Sequence, residues 1–363
     1  MNANREHVVE ATRPTASADA SPLTAEHDAT RVRRRLGTLL VGVLVLGFAA
    51  GLATGTEGFS PGALWADLHS GEADLILWQI RAPRTLGAAL VGALLGLTGA
   101  VAQGVFRNPL ADPYLLGSAS GAGLGVVLVL AGASLGGVAT SLGNIAWIEN
   151  VGLVLAAFVG ALAGVSLTLT LARGAVHTLR LLLAGVVVGV LLGAISDLIT
   201  VASPDALRGK QTFMLGTTSF LGWPALAMLA MGLAATIAVG LRLARALDAL
   251  TLGEDSAVSL GLDLARVRLA LVVLLSVGTA LAVSQAGLVA FVGLVAPHLV
   301  RRNAPGLHAW LVGASAAMGA ALLLVADVIS RAVIAPQELP VGVVTAVLGG
   351  GYLFRLLRER TAS

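Results

Sequence analysis

The chain has 363 residues, of which 56% are hydrophobic and only 12% charged, with 45 glycines and no cysteine. Soluble domains carry about 25% charged residues, so a water-soluble globule is excluded, and the lack of thiols excludes disulfides, iron–sulfur clusters and thiolate metal sites. The net charge of +3 comes from arginines scattered among short segments, so no basic face for nucleic acid is expected.

Residues 1–35 are polar and end in Arg31, Arg33, Arg34 and Arg35, which predicts a disordered tail. The apolar run that follows suits a spanning helix better than the shorter core of a signal peptide, the competing reading. Spans are expected at 36–55, 84–104, 114–133, 151–172, 180–201, 221–243, 265–284, 287–300, 308–330 and 340–357. The fold class is thus an all-α polytopic membrane protein of about ten transmembrane helices, with both termini on one side. The eighth span is short for a crossing and is expected to be tilted or broken. Helix-start signals at Ser60-Pro61 and Ser203-Pro204 predict short helices in two connections.

Lys and Arg resist export across a bilayer. Alternating spans put all but five of the 23 Lys and Arg on one side, which is therefore expected to be the cytoplasm. The five are Arg81, Arg84, Arg208, Lys210 and Arg331, all at outer span ends. Charge held against that bias points to docking of something acidic outside, or more plainly to lipid headgroups and loops.

Small residues recur at helical spacing: Gly92 and Gly96, Gly160 and Gly164, and the stripe Gly185, Gly189, Gly193. Close helix packing is the expected use; the last stripe has a path lining as its alternative. After the second span, Pro109 and Pro113 bar a continuous helix, Asn108 and Asp112 can cap the broken ends, and Gln103 needs a partner within the membrane. In the inner connection 244–264, Gly253 and Gly261 bracket about two helical turns that include Glu254, Asp255, Ser256, Ala257 and Leu260. An amphipathic connector is the simple reading of that segment. Asp197 and Asp327 lie near span ends, where an acid carries protons or pairs with a neighbouring cation. His298 follows Pro297 and has no ligand spacing around it, so a cap or packing role is expected. Neither a cofactor nor a metal site is expected. The chain lacks a GxxxxGK[ST] phosphate loop, so it does not hydrolyse ATP itself.

Several stretches together resemble the permease subunits of type II ABC importers for iron–siderophores, haem and vitamin B12. These are Arg81, Pro83 and Arg84; Gly99, Ala100 and Gln103; Arg107–Gly117; Leu181–Gly189; Leu247–Leu262; Ala286–Arg302; and Gly313–Gly350. The likeness covers nearly everything after residue 36. The family often has Trp where Phe213 stands, and Gly-Ala-Pro-x-Phe where this chain has Gly350 to Phe354.

The resemblance implies a vitamin B12 importer permease-like fold over residues 36–360 in the cytoplasmic membrane, working as a dimer with a second copy or a paralogue. It implies two ATP-binding subunits on the cytoplasmic side and a soluble binding protein outside. Arg81, Arg84 and Arg331 would receive that protein's carboxylates. Residues Gly253 to Gly261 would be the helix that couples to the ATPase, and Thr178 and Leu179 would lie at the cytoplasmic gate. Gln103, Asn108, Pro109, Asp112, Pro113, Pro297, His298 and Asp327 would be structural. The expected cargo is an iron–siderophore, with vitamin B12 or haem as alternatives. A proton-coupled secondary transporter using Asp197 and Asp327 is the rival from another class. An ion channel is disfavoured by the lack of a filter-like segment.

Overall fold

The computed structural model describes residues 22–55, 58–62, 65, 74–135, 146–175 and 177–361. Among these residues the chain forms α1 (Pro22–Ala53), α2 (Ala82–Phe106), α3 (Ser118–Leu135), α4 (Ala146–Leu171), α5 (Thr178–Ala202), α6 (Pro204–Leu215), α7 (Trp223–Thr251), α8 (Glu254–Ser259), α9 (Leu264–Ala286), α10 (Val292–Asn303), α11 (His308–Ala332) and α12 (Val341–Thr361). The only strands among them are a two-residue antiparallel pair just after α1, β1 (Thr54–Gly55) and β2 (Gly58–Phe59). Eight helices are long and apolar enough to cross a membrane: α1, α2, α4, α5, α7, α9, α11 and α12. Two of the ten expected spans are shorter than these, the apolar α3 of 18 residues and α10 of 12.

Several boundaries differ from those read in the sequence: α7 runs on to Thr251, past the expected 243, and three further differences bear on the sites. The tail expected to be disordered through residue 35 is helical from Pro22, because α1 runs unbroken through the arginine cluster, and Arg is a good helix former. The rest of that tail, residues 1–21, lies outside the described residues. A π-helical segment, Asp74–Arg81, runs directly into α2, so Arg81 sits within a helix rather than ahead of one. The eighth span, expected at 287–300, is a 12-residue half-helix displaced to Val292–Asn303. Gly287 and Phe291, both at positive φ (67° and 66°), break the chain after α9, and Pro297 is accommodated inside α10. The helix expected after Ser60 falls largely outside the described residues, whereas Ser203 caps α6 by accepting from the Ala206 amide.

A central spine organises the bundle. Helix α2 packs on α11, α9, α7 and α10 and is buried along almost its whole length. Glycine makes this possible. A Cβ on Gly92 would collide with the Gly319 carbonyl of α11, one on Gly96 with the Ser315 carbonyl, and one on Gly99 with the Gly293 carbonyl of α10. Backbones thus touch directly, as small residues in membrane helices permit. A second crossing of the same kind joins α3 and α4 through Gly121, Gly160 and Gly164. The stripe on α5 divides in use: Gly185 lies against the Leu115 carbonyl, while Gly193 faces open space.

Candidate docking and coupling sites

At the end of the spine expected to face outward, two of the three family arginines, Arg81 and Arg331, converge on the end of α1. Helix α1 stops at Ala53, leaving its last carbonyls without intrahelical partners. Arg81 donates to Leu52 O at 3.0 Å, and Arg331 donates to Gly51 O at 3.0 Å and Thr54 O at 3.2 Å. Cations at a helix C-terminus also meet the negative end of its dipole.

Asp327, fully buried on α11, ties this cluster together. Its carboxylate accepts from Arg331 one turn further on, from Thr218 Oγ1, and from Arg84 Nε at 3.4 Å. Arg84, in the first turn of α2, also makes a bidentate pair with Glu338, at 2.8 and 2.9 Å. Glu338 lies between α11 and α12 and accepts in addition from Ser219 Oγ at 3.1 Å. Burial pushes the Glu338 carboxyl up, but hydrogen bonds and charge from Arg84 outweigh it and hold the group below the usual carboxylate range. A polar recess of about 270 Å³ opens over Arg84, Thr217, Ser219 and Glu338.

The arginines expected as an outer patch are therefore mostly turned inward. Arg84 is 9% exposed and Arg331 only 3%, with Arg81 half-buried. A desolvated guanidinium needs carboxylates or carbonyls around it, and here α1, Asp327 and Glu338 supply them. Of the two other outer cations, Lys210 pairs with Asp197, and Arg208 with its neighbour Asp205 in an exposed contact.

At the opposite end, α7 gives way to the six-residue α8 through Gly253 (φ 112°), and Gly261 (φ 82°) turns the chain towards α9. Both lie in the region where glycine alone is unstrained. Asp263 then caps α9 through the Arg266 amide. Ala257 faces inward, whereas Leu252, Val258 and Leu260 stand 69%, 55% and 65% exposed. Asp255 and Ser256 are exposed as well. Glu254 anchors the peg from below, accepting from Arg268 of α9 at 2.7 Å and from Arg107, just past α2, at 3.2 Å. The Arg268 hydrogen bond is the main cause that holds its carboxyl below the ordinary range.

The turn 107–117 links this end to the spine. Arg107 takes the left-handed conformation that ends α2, Asn108 Oδ1 accepts from the Leu110 amide, and Asp112 accepts from the Tyr114 amide to start a short 3₁₀ turn. Burial raises the Asp112 carboxyl to about 6, with the Tyr114 amide opposing. Pro109 lies in the intervening turn. Pro113 rests against Gly293, where a side chain would clash. Gln103 finds its partners on α10: its amide donates to Leu294 O at 3.0 Å and accepts from Arg301 at 2.6 Å. His298 sits inside α10 after Pro297, edge-on to Tyr352 at 5.9 Å between ring centroids. Thr178 and Leu179 open α5; Leu179 is 69% exposed, while the Thr178 hydroxyl is buried without a hydrogen-bond partner. Among the described residues, no cluster of three His, Asp or Glu could hold a metal ion.

Four partners had not been singled out in the sequence: Glu338, Thr218, and the arginines 268 and 301 in their bonds to Glu254 and Gln103. Glu338 could have been flagged as an acid in an outer connection that also carries Arg331. The other three have no local signal, since each bond joins distant segments.

A multi-pass α bundle with a buried ion cluster at one end and an exposed apolar peg at the other is a membrane transport subunit. Comparison defines the kind: residues 43–359 match the FecCD transport family, and the chain belongs to it as an ABC importer permease. It is 38% identical over 333 residues to the hemin transport system permease protein HmuU of Yersinia pestis, covering 90% of this chain and 96% of that one. To the vitamin B12 import system permease protein BtuC of Pectobacterium atrosepticum it is 37% identical, covering 90% and 95%. Its fold is similar to that of a solved chain assigned to a metal-chelate type ABC transporter in an inward-facing conformation. The TM-score is 0.78 at 25% identity, over 90% of this chain and 99% of the other. Permeases of this family work with ATPase and substrate-binding partners.

Proposed function

We propose that this chain carries an iron–siderophore complex across the cytoplasmic membrane, as one of two permease copies or paralogues, with both termini inside. A soluble binding protein delivers the cargo to the Arg81, Arg84 and Arg331 end. Two separate ATP-binding subunits engage the peg from Gly253 to Gly261, and their closure moves the peg as a rigid body. The observation that carries the reading is that peg: a short helix bounded by two positive-φ glycines, with Leu252, Val258 and Leu260 exposed above an anchored Glu254. Three apolar side chains held out in water suit a groove on a partner. In this reading Thr178 and Leu179, at the head of α5, form the inner gate.

Haem or cobalamin is the second reading of the cargo, favoured by what the Yersinia and Pectobacterium relatives are named for. The test is uptake into proteoliposomes holding this chain with its ATPase and binding protein. Radiolabelled ferric siderophore, haem and cobalamin are offered separately, with and without internal ATP. ATP-dependent uptake of the siderophore alone supports the first reading, and uptake of haem or cobalamin alone replaces its cargo. Uptake that ignores ATP and follows a proton gradient overturns the importer.

A further inference from the structure

The N-terminal part of α1, which carries Arg33 and Arg34, borders a groove that the transport reading does not use. The 32 residues of α1 correspond to about 48 Å of helix, against about 30 Å of bilayer hydrocarbon. The apolar part after Arg35 therefore fills the membrane, and Arg33 and Arg34 fall at its edge. There a groove of about 530 Å³ runs between α1 and the start of α11, lined by Thr30, Arg33, Arg34, Gly37, Val41 and Trp310.

Each part of the groove is set by its own contacts. Arg33 Nε donates to Pro305 O at 3.1 Å, which fixes one guanidinium at the upper wall. Arg34, one position on, is exposed. Trp310 is tethered through its ring N–H to Ala304 O at 2.9 Å, and its indole lines the groove beside Arg33, both against Gly306. Gly37 leaves the floor empty, since a Cβ there would meet nothing within 4 Å. One turn deeper, Val41 is 61% exposed and continues the groove towards Val45 along the membrane-facing side of α1. Two cations thus stand above an apolar trough beside an aromatic ring at interface depth.

We propose that this groove binds an anionic phospholipid of the adjoining leaflet. The phosphodiester would lie on Arg33 and Arg34, and an acyl chain along Gly37, Val41 and Trp310. Charge complementarity selects this occupant: guanidinium pairs match phosphate oxygens, and basic pockets beside membrane helices are read by anionic headgroups. A zwitterionic lipid satisfies the trough but adds no net charge for the arginines.

The test uses the full chain reconstituted in vesicles, with tryptophan fluorescence quenched by lipids brominated on their acyl chains. Subtracting the signal of Trp310→Phe isolates Trp310 from the other four tryptophans. Brominated phosphatidylglycerol should quench Trp310 at lower mole fraction than brominated phosphatidylcholine. Removing an arginine should cost about 5-fold in that preference, following the ~1 kcal/mol contributed by each basic residue near an anionic surface. Arg34→Gln is the primary variant, because Arg33 also holds the Pro305 segment; Arg34→Lys should keep most of the preference. Equal quenching by the two lipids, or a preference that survives Arg34→Gln together with Arg33→Gln, overturns the proposal. Neither readout depends on ATP, cargo or a binding protein.

Discussion

Arg84 and Glu338, 254 residues apart in the chain, meet fork to fork with both guanidinium–carboxylate bonds below 3 Å. The pair joins the first turn of α2 to the connection between α11 and α12. It also fills the carboxylate-binding side of an arginine that the family resemblance assigns to a docking protein. A docking carboxylate must therefore displace Glu338 or settle beside it.

The pair should show itself in pH-dependent stability. The Glu338 carboxyl titrates below its ordinary range in the folded chain, so the contribution is present above the unfolded value of ~4.3 and is lost as pH falls through the lower folded value. Because Glu338 is 39% exposed on its side chain, solvent screening keeps the expected loss in Glu338→Gln to about 1 kcal/mol. Thermal unfolding in detergent should show a lower midpoint for the variant at pH 7 and a gap that narrows as pH falls below the unfolded value. A gap that persists unchanged in acid would mean that the carboxylate charge is not what stabilises this contact.

Asp327→Asn should be far costlier. It removes the charge that balances two buried arginines, and breaking a buried pair costs about 3–5 kcal/mol. Yield and unfolding midpoint should both fall sharply. Any uptake that remains should still require ATP; a selective loss of proton-driven uptake in a well-folded variant would restore the secondary-transporter reading.

Docking is best probed at Arg81. Arg84→Glu would set a third carboxylate beside Asp327 and Glu338 and confuse folding with binding, whereas Arg81 is half-buried and donates to a carbonyl at the end of α1. Arg81→Glu should weaken capture of the binding protein at least tenfold, which is about 1.4 kcal/mol, with the unfolding midpoint held within a few degrees. Unaltered affinity in surface plasmon resonance would remove Arg81 from the docking site.

The peg offers a variant with little folding cost. Leu260→Asp changes a side chain that is 65% exposed, and such surface changes usually stay within ~0.5 kcal/mol. ATP-driven uptake should drop by more than tenfold while the permease remains monodisperse. Normal uptake would detach α8 from energy coupling.

The legible and illegible parts of this molecule divide by range. Hydrophobic runs marked the spans, and proline with glycine marked the turn at 107–117 and the two ends of α8, because these features are written in neighbouring residues. The broken α10 was visible as a run too short to cross. Its true start was not, since it depends on the left-handed Phe291, a residue type that carries no such preference. The side of the membrane on which Arg84 and Arg331 lie follows from charge bias, but their burial follows from Asp327, Glu338 and the carbonyls of α1, brought together only by tertiary packing. The Glu254–Arg268 bond escaped for the same reason.

The glycine contacts along α2 have a consequence for traffic. Where the Gly92, Gly96 and Gly99 backbones rest on those of α11 and α10, there is no room for a water file, let alone a chelated metal. That seam is a wall, so in the importer proposed above a bulky cargo runs along a flank away from it. The helices that form the flank can then diverge to suit different cargoes while the masonry behind them stays the same.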